Sequence, residues 1–453
     1  MITNNPGIPT NIEIDVNIDG LPITKTTKRT LWPILVKKSG KSGETPYMVG
    51  CYHGNAKPES AEIFLETFCQ EYIKLEKNGF SFKNKNYTVK LNNATCDAPA
   101  GSFTAGTKAH NGYCGCRKCM VYGKSVNHRM HFLSENSKLR TDANFRNREN
   151  PEHHKDNSPF EKILKFDMIK GFPLDYMHLV LLGVVKLLIK LWLKVRPILT
   201  ETQFDELNEA FTEIGKYLPK EFNRKPQDLK YLGHWKAMVF RTFLLYAGAI
   251  ILPGILPDDF VLHFNYLSCA IRILCHPTDY KDNNAYAQNL LRSFVKEFKN
   301  LYSPNFVVYN VHSLIHLAAD SLRLGPLDVF SAFDFENFMQ FLKKLLRKNE
   351  KPLQQIHRRL AEKHRPTNKR AKRMNKMYPL LLSKLNRELP FGCTDHHRRL
   401  QFQHFELTNS MPDNICILDD ETIVSVKYIC KKDNEIVIVG NEFLEKNQLT
   451  IIQ

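Results

Sequence analysis

Hydrophobic and polar positions alternate where the chain begins. In "IEIDVNI", Ile12, Ile14, Val16 and Ile18 fall on one side and Glu13, Asp15 and Asn17 on the other. This is the period of two expected of a half-buried strand, and it runs into a turn at Asp19-Gly20. "TLWPILV" and "YMVGCYHG" predict the next two strands, and their short connections predict a meander. "SAEIFLETFCQEYIKLEKNG" then predicts a helix with Ser60 as N-cap and Gly79 just past its end. "NYTVKLNNATCD" predicts a fourth strand that ends at Asp97.

The pattern then changes. A polar stretch over 133–158 predicts a loop, and 160–325 predicts mostly helix with breaks at Pro197, Pro219, Pro226, Pro253 and Pro257. A long helix is expected over 333–361, with Phe335, Phe338, Met339, Phe341 and Leu342 on its apolar side. The basic run "KHRPTNKRAKRMNK" follows, and the tail returns to strands in "TIVSVKYICKK", an Asp433-Asn434 turn and "EIVIVG". Three strands, a helix, a fourth strand and a late helix give the element order of a ribonuclease-H-like core. The expected fold class is therefore α/β: such a core interrupted by a large helical insertion, with a small β-rich C-terminal tail. The expected boundaries are 12–120 for the first part of the core, 121–325 for the insertion, 326–365 for the last catalytic helix, and 366–453 for the linker and tail.

Composition narrows the partners. Sixty-four Lys and Arg against 47 Asp and Glu leave a net charge of +17, which suits a polyanion such as nucleic acid or an anionic membrane surface. A membrane span is not expected. "LVLLGVVKLLIKLWLKV" carries Lys186, Lys190 and Lys194 four apart as one charged stripe, and "VFRTFLLYAGAIILPGIL" is broken by Arg241 and Pro253. The opening residues lack the basic and apolar regions of a signal peptide. Eleven cysteines, an odd number, favour metal or core roles in a reducing compartment over disulfides.

Two sets of residues carry candidate chemistry. In a ribonuclease-H-like sheet the first and fourth strands are neighbours, so Asp19 and Asp97 would converge at one edge. Glu336, among aromatics on the late helix, is the candidate third acid; Asp334 competes but is explained by the helix dipole near the helix start. Acids so placed would hold two Mg²⁺ or Mn²⁺ ions about 3.5–4 Å apart for phosphoryl transfer. Equally, Asp-Gly and Cys-Asp-Ala-Pro are good turn sequences. The second set lies in "HNGYCGCRKCM". Cys116 and Cys119 have a zinc spacing, and His312 and His316, four apart, would present two imidazoles on one helical face. Cys114 is a rival thiol; His128, His153, His154 and above all His178 are rival imidazoles. Tyr113, Tyr122 and Trp235 are expected to pack rather than to stack on bases.

"IDVNIDGLP" with "WPIL", then "CDAPA", "CGCRKC", "PLDYMH", "GHWKA", "RTFLLYAG" and "HSLIHLAADSLRLGPLDVFSAFDFENFMQFLKKLLR" resembles the transposases of CACTA (En/Spm-type) DNA transposons, the animal branch most closely. The likeness runs over about 12–365 with the motifs in family order. It implies a DDE-type catalytic core in which Asp19, Asp97 and Glu336 hold magnesium. The order of the cysteine and histidine pairs also resembles the catalytic core of the V(D)J recombinase, with structural zinc on Cys116, Cys119, His312 and His316. Asp175 and His178 of "DYMH" match a family signature and are expected near the active site or the DNA. The implied activity is strand cleavage and transfer at transposon ends, with DNA as partner, a homo-oligomer on paired ends and a nuclear address; "NKRAKR" fits nuclear targeting or a DNA-backbone contact. The chain departs from the family in three places. It starts 18 residues before Asp19, so no separate N-terminal DNA-binding module is expected. Gly101 stands where a basic residue is expected, and Met238-Val239 where the family tends to carry an acid. The alternative is a catalytically inactive, transposase-derived DNA- or chromatin-binding protein.

Overall fold

The computed structural model describes residues 10–24, 28–195, 198–348, 350–364, 378–385, 392–432 and 435–443. It is a mixed α/β protein with several sheets, divided into two compact units: residues 1–203 with 240–365, and 204–239 with 366–453. Most of the basic run, residues 365–377, and the Asp433-Asn434 turn lie outside the described residues.

The first unit is built on a six-stranded sheet. Its strands are β1 (Asn11–Ile18), β2 (Leu21–Pro22), β3 (Thr30–Lys38), β4 (Tyr47–Gly54), β5 (Phe80–Phe82) and β6 (Lys85–Ala94), with helix α1 (Ala61–Asn78) between β4 and β5. Their order is β2-β3-β1-β6-β5, and β4 also pairs with β3. β3 runs antiparallel to β1 and β4, whereas β6 runs parallel to β1. That parallel pair needs a crossover, and α1 supplies it. The Ser60 side chain accepts from the Ile63 N–H, and Gly79 ends the helix at φ 62°, as the sequence predicts.

Alternation on β3 splits its side chains between two layers. Trp32, Ile34 and Val36 join Ile12, Ile14, Val16 and Ile18 of β1 and Leu65, Cys69 and Tyr72 of α1 in one core. Leu31 and Leu35 face the other way, onto Phe335, Met339 and Leu342 of the helix Phe333–Leu345. The second face of β1 departs from expectation. Asp15 and Asn17 are buried, not solvated. Asn93 donates to Asp15 at 2.7 Å, Asn17 donates to the Thr95 carbonyl at 2.9 Å, and Thr95 reaches the Phe330 carbonyl at 2.9 Å. The segment before the late helix therefore covers this polar face, and hydrogen bonds offset the cost of burying it.

The expected helix over 333–361 is two helices, Phe333–Leu345 and Pro352–His364. Leu346 turns to extended backbone and Lys351 adopts φ 47°. Pro352 explains the break: its ring disfavours helix at the residue before it but suits the first turn of a new one. The polar stretch 133–158 also holds a short helix, Asp142–Arg146, closed by a Thr141–Asn144 capping box.

The insertion's apolar stretch forms consecutive helical segments Met177–Val185, Lys186–Lys190 and Leu191–Val195, the outer two wound as π-turns. Two long helices, Asp258–Cys275 and Asn284–Tyr302, pack together, with His263 of the first against Phe294, Phe298 and Tyr302 of the second. Among the described residues, no helix is long and apolar enough to cross a membrane.

In the second unit a six-stranded antiparallel sheet orders Glu406–Thr408, Asp395–Gln401, Ile423–Lys432 and Ile415–Ile417, with Leu380–Leu385 and Glu435–Glu442 on the two central strands. Leu400, Leu407, Val426 and Ile429 form its core. Residues 204–239, which fall inside the insertion by sequence, cluster with this sheet. There Lys220 pairs with Glu406 and Asp413, and Trp235 packs on Phe211.

Candidate functional site: an acidic sheet edge beside a Cys2His2 cluster

The parallel register pairs Val16 with Ala94. Asp19 and Asp97 each lie three residues beyond that pair, so both leave the sheet at the same edge. Their turn chemistry is present as well. Asp19 accepts from the Gly20 N–H at 2.6 Å, and Asp97 caps the short helix α2 (Ala98–Thr104) through the Ala100 N–H at 2.7 Å. The turn reading and the site reading thus hold together, since a carboxylate can cap with one oxygen and offer the other.

Glu336 comes to the same edge from the first turn of Phe333–Leu345. Burial pushes the Asp19 carboxyl up to about 8; repulsion from Asp97 and Glu336 adds to this, and His178 and the Gly20 N–H oppose it. Asp334 does not join them. It pairs with the buried Lys37 ammonium at 2.8 Å and accepts from the Gly43 N–H at 3.1 Å. Lys37 also donates to the Val329 carbonyl at 3.0 Å, fastening the start of the Glu336 helix to β3.

Asp175 and His178 complete the edge. His178 Nδ1 lies 2.6 Å from Asp175 Oδ2, and its Nε2 lies 3.9 Å from Glu336 Oε1. Burial opposes a charge on His178, but the bond to Asp175 and the negative charges of Asp175, Asp19 and Asp97 outweigh it, raising the ring to about 9. Asp175 does two further things. Its Oδ2 caps the following helix through the His178 N–H at 3.0 Å, and its Oδ1 accepts from the Ala332 N–H at 2.8 Å. One buried carboxylate therefore orients the imidazole, as the Asp-x-x-His spacing of Asp175 and His178 predicts, and also anchors the turn that carries Glu336, which alone has no signal in the sequence.

Cys116, Cys119, His312 and His316 come together, all buried, with one ligand atom from each within 4.8 Å of the others. Cys119 Sγ lies 3.6 Å from Cys116 Sγ and 3.3 Å from His312 Nε2; Cys116 Sγ lies 3.8 Å from His316 Nε2. Tetrahedral zinc with bonds of about 2.3 Å to sulfur and about 2.0–2.1 Å to nitrogen sets such separations at roughly 3.3–3.8 Å. The set fits a metal such as zinc in spacing, donor type and number. Burial works against a thiolate, yet hydrogen bonds from Cys119, His312 and His316 hold Cys116 well below the usual thiol range. The hydrogen bond to Cys116 in turn pushes Cys119 up, and burial and the charge of Cys116 add to this.

The rival ligands lie elsewhere. Cys114 points to Glu152 at 3.5 Å, and His153 Nδ1 lies 2.7 Å from the Cys114 carbonyl. His154 packs edge-on against Phe145, and His128 sits at φ 61° in the turn of the Lys124–Val126/Arg129–His131 hairpin. Tyr113 and Tyr122 stack on each other but are exposed, whereas Trp235 is buried.

The two residues between the thiols were missed as functional. Lys118 is buried, donates to Asp320 at 2.7 Å and to the Ile169 carbonyl at 3.2 Å, and Asp320 accepts the Leu174 N–H at 2.8 Å. One ion pair thus ties the cysteine loop, the helix Leu317–Leu324 and the Leu174 segment that leads into Asp175. Arg117 turns instead toward Asp97. Residues 383–450, in the second unit, match a domain of unknown function (DUF8592). No curated protein matches the chain significantly.

Proposed function

We propose that the first unit is the catalytic domain of a DDE-type transposase with a ribonuclease-H-like core, cleaving and joining DNA strands at transposon ends. The observation that carries this reading is the convergence of Asp19, Asp97 and Glu336, from two parallel strand ends and one distant helix, beside an Asp175-oriented His178. The strand order with its parallel β1–β6 pair, the likeness in motifs over 12–365 and the basic net charge support it further. Asp19, Asp97 and Glu336 would hold two Mg²⁺ ions, with Mn²⁺ able to substitute, and these would supply activation of the attacking oxygen and stabilisation of the leaving one. Cys116, Cys119, His312 and His316 would hold structural zinc. Assembly of several copies on paired ends, and action in the nucleus, follow from the same reading.

The chain's own residues supply placement. The β1–β6 register fixes two acids, while Lys37–Asp334 and Asp175–Ala332 fix the helix of the third. In hydrolysis, water oxygen bonds to phosphorus and the P–O3′ bond breaks, leaving a 3′-OH; that hydroxyl then attacks a target phosphodiester and displaces its 3′ oxygen. The test is nicking of supercoiled plasmid in Mn²⁺ by the full chain and by Glu336→Gln. Nicking by the native protein that falls by 100-fold or more (on the order of the loss expected when a metal-holding group goes) in the variant supports the reading. Equal nicking by both, or none by folded zinc-loaded native protein, overturns it in favour of a DNA-binding protein without catalysis.

A further inference from the structure

Arg117 lies between two cysteines of the cluster, yet its side chain leaves the cluster. Its guanidinium approaches Gly101 of α2 through Nη1: a Cβ added at Gly101 would sit 1.9 Å from Arg117 Nη1. The residue is only 5% exposed, and its Nε and Nη1 have no hydrogen-bond acceptor among the described residues. A cavity of about 20 Å³ adjoins it, lined also by Asp97, Asp175, His178 and Tyr309. The buried Tyr309 hydroxyl makes no hydrogen bond of normal geometry there, but it lies close enough to the guanidinium to favour its charge.

Two donors without acceptors on a buried guanidinium are costly, because those desolvated N–H groups lose water and gain nothing. Asp97 does not relieve it, since no bond joins the two side chains while Asp97 Oδ1 is engaged by the Ala100 N–H. The cavity has room for one oxygen-sized group and none for a side chain. The vacant donors are those of the residue type that pairs best with a phosphate oxygen.

We infer that Arg117, with Tyr309, receives a non-bridging oxygen of the DNA phosphodiester bound at the acidic edge, and that the cysteine cluster holds it there. This rests on the catalytic reading above. Gly101 is then explained: any side chain at that position would expel the guanidinium.

Electrostatic sign separates this role from a merely supporting one. Removing a cation weakens binding of an anion but does not weaken binding of a dication. Zinc-loaded full chain is therefore titrated with a 30-base-pair duplex in Ca²⁺ across a salt series, and separately with Mn²⁺ read by electron paramagnetic resonance. Arg117→Met is expected to keep its zinc, to bind the duplex about tenfold more weakly, and to lower the salt slope by about one. Its Mn²⁺ affinity is expected to stay equal or rise. Arg117→Lys should keep the slope, and Gly101→Ala, with Arg117 still present, should reproduce the loss. Unchanged duplex affinity and slope in both Arg117→Met and Gly101→Ala overturns the inference. So does weaker Mn²⁺ binding with zinc retained, which marks Arg117 as a positioning residue for Asp97, and so does loss of zinc in both variants. Failure of native protein to bind the duplex at all instead removes the catalytic reading on which the inference stands.

Discussion

The acidic edge and the Cys2His2 cluster are both assembled from distant parts of the chain, but they settle their charges in opposite ways. In the cluster every candidate ligand is buried, and the thiol and imidazole atoms lie 3.3–3.8 Å apart. At the acidic edge three carboxylates crowd together with one imidazole, and Asp19 is held protonated near neutral pH by burial and by its neighbours. One region is closed; the other crowds like charges, which under the proposed function a dication would relieve, at some cost in stability.

The largest expected effect follows from breaking the closed region. His312→Ala or Cys116→Ser leaves three ligands for a buried metal, and structural zinc in small domains contributes on the order of 10–16 kcal/mol to folding. Metal analysis should show about one zinc per native chain and none in either variant, with loss of the cooperative unfolding transition by circular dichroism. A variant that keeps the transition without zinc would show that the cluster is ordinary core.

Next in size is the ion pair beside the cluster. Asp320→Ala strands the buried Lys118 ammonium and the Leu174 N–H together. Removing one partner of a buried pair costs about 3–5 kcal/mol, whereas replacing both by apolar groups is often near neutral. Urea denaturation of Asp320→Ala should show a loss of that size, and the double variant Lys118→Met with Asp320→Leu should regain most of it. A single variant within 1 kcal/mol of native (the scale of a surface pair) would mean that water reaches the pair.

Most of this comparison was legible in the chain, and the exceptions share a cause. Strands β1, β3, β4 and β6 follow from alternation, and α1 from its caps, because those signals are local. Asp19 and Asp97 follow from strand ends, and the ligand set from two short spacings. What local pattern could not give was the second layer over β1. Asp15 and Asn17 read as the wet face of a strand, yet the segment around Phe330, more than 300 residues later, covers them. Lys118 and Asp320 pair across 202 residues, and Asp175 reaches Ala332 across 157. Such carboxylates and ammonium groups look like surface residues until the fold brings their partners. Pro352 is the opposite case, a strong local breaker to which the amphipathic pattern around it gave too little weight.

The smallest effect bears on the open region and has a definite sign. An acid whose pKa is higher in the fold than in the unfolded chain retains its proton on folding. Its contribution to stability is complete below its ordinary value of 3.8 and is lost as pH rises through about 8. Asp19→Asn removes that charge while keeping the shape. In buffer free of dications other than zinc, the variant should therefore match native stability near pH 4 and exceed it at pH 8, by about 1–2 kcal/mol, a common gain when an active-site charge is removed. Saturating Mn²⁺ should stabilise the native protein at pH 8 and leave the variant nearly unchanged, so the advantage shrinks or reverses. The two stability curves across pH decide it. A variant that is less stable at pH 8, or offset from native by the same amount at every pH, would show that Asp19 serves the turn after β1 and that the edge carries no excess charge for a metal to relieve.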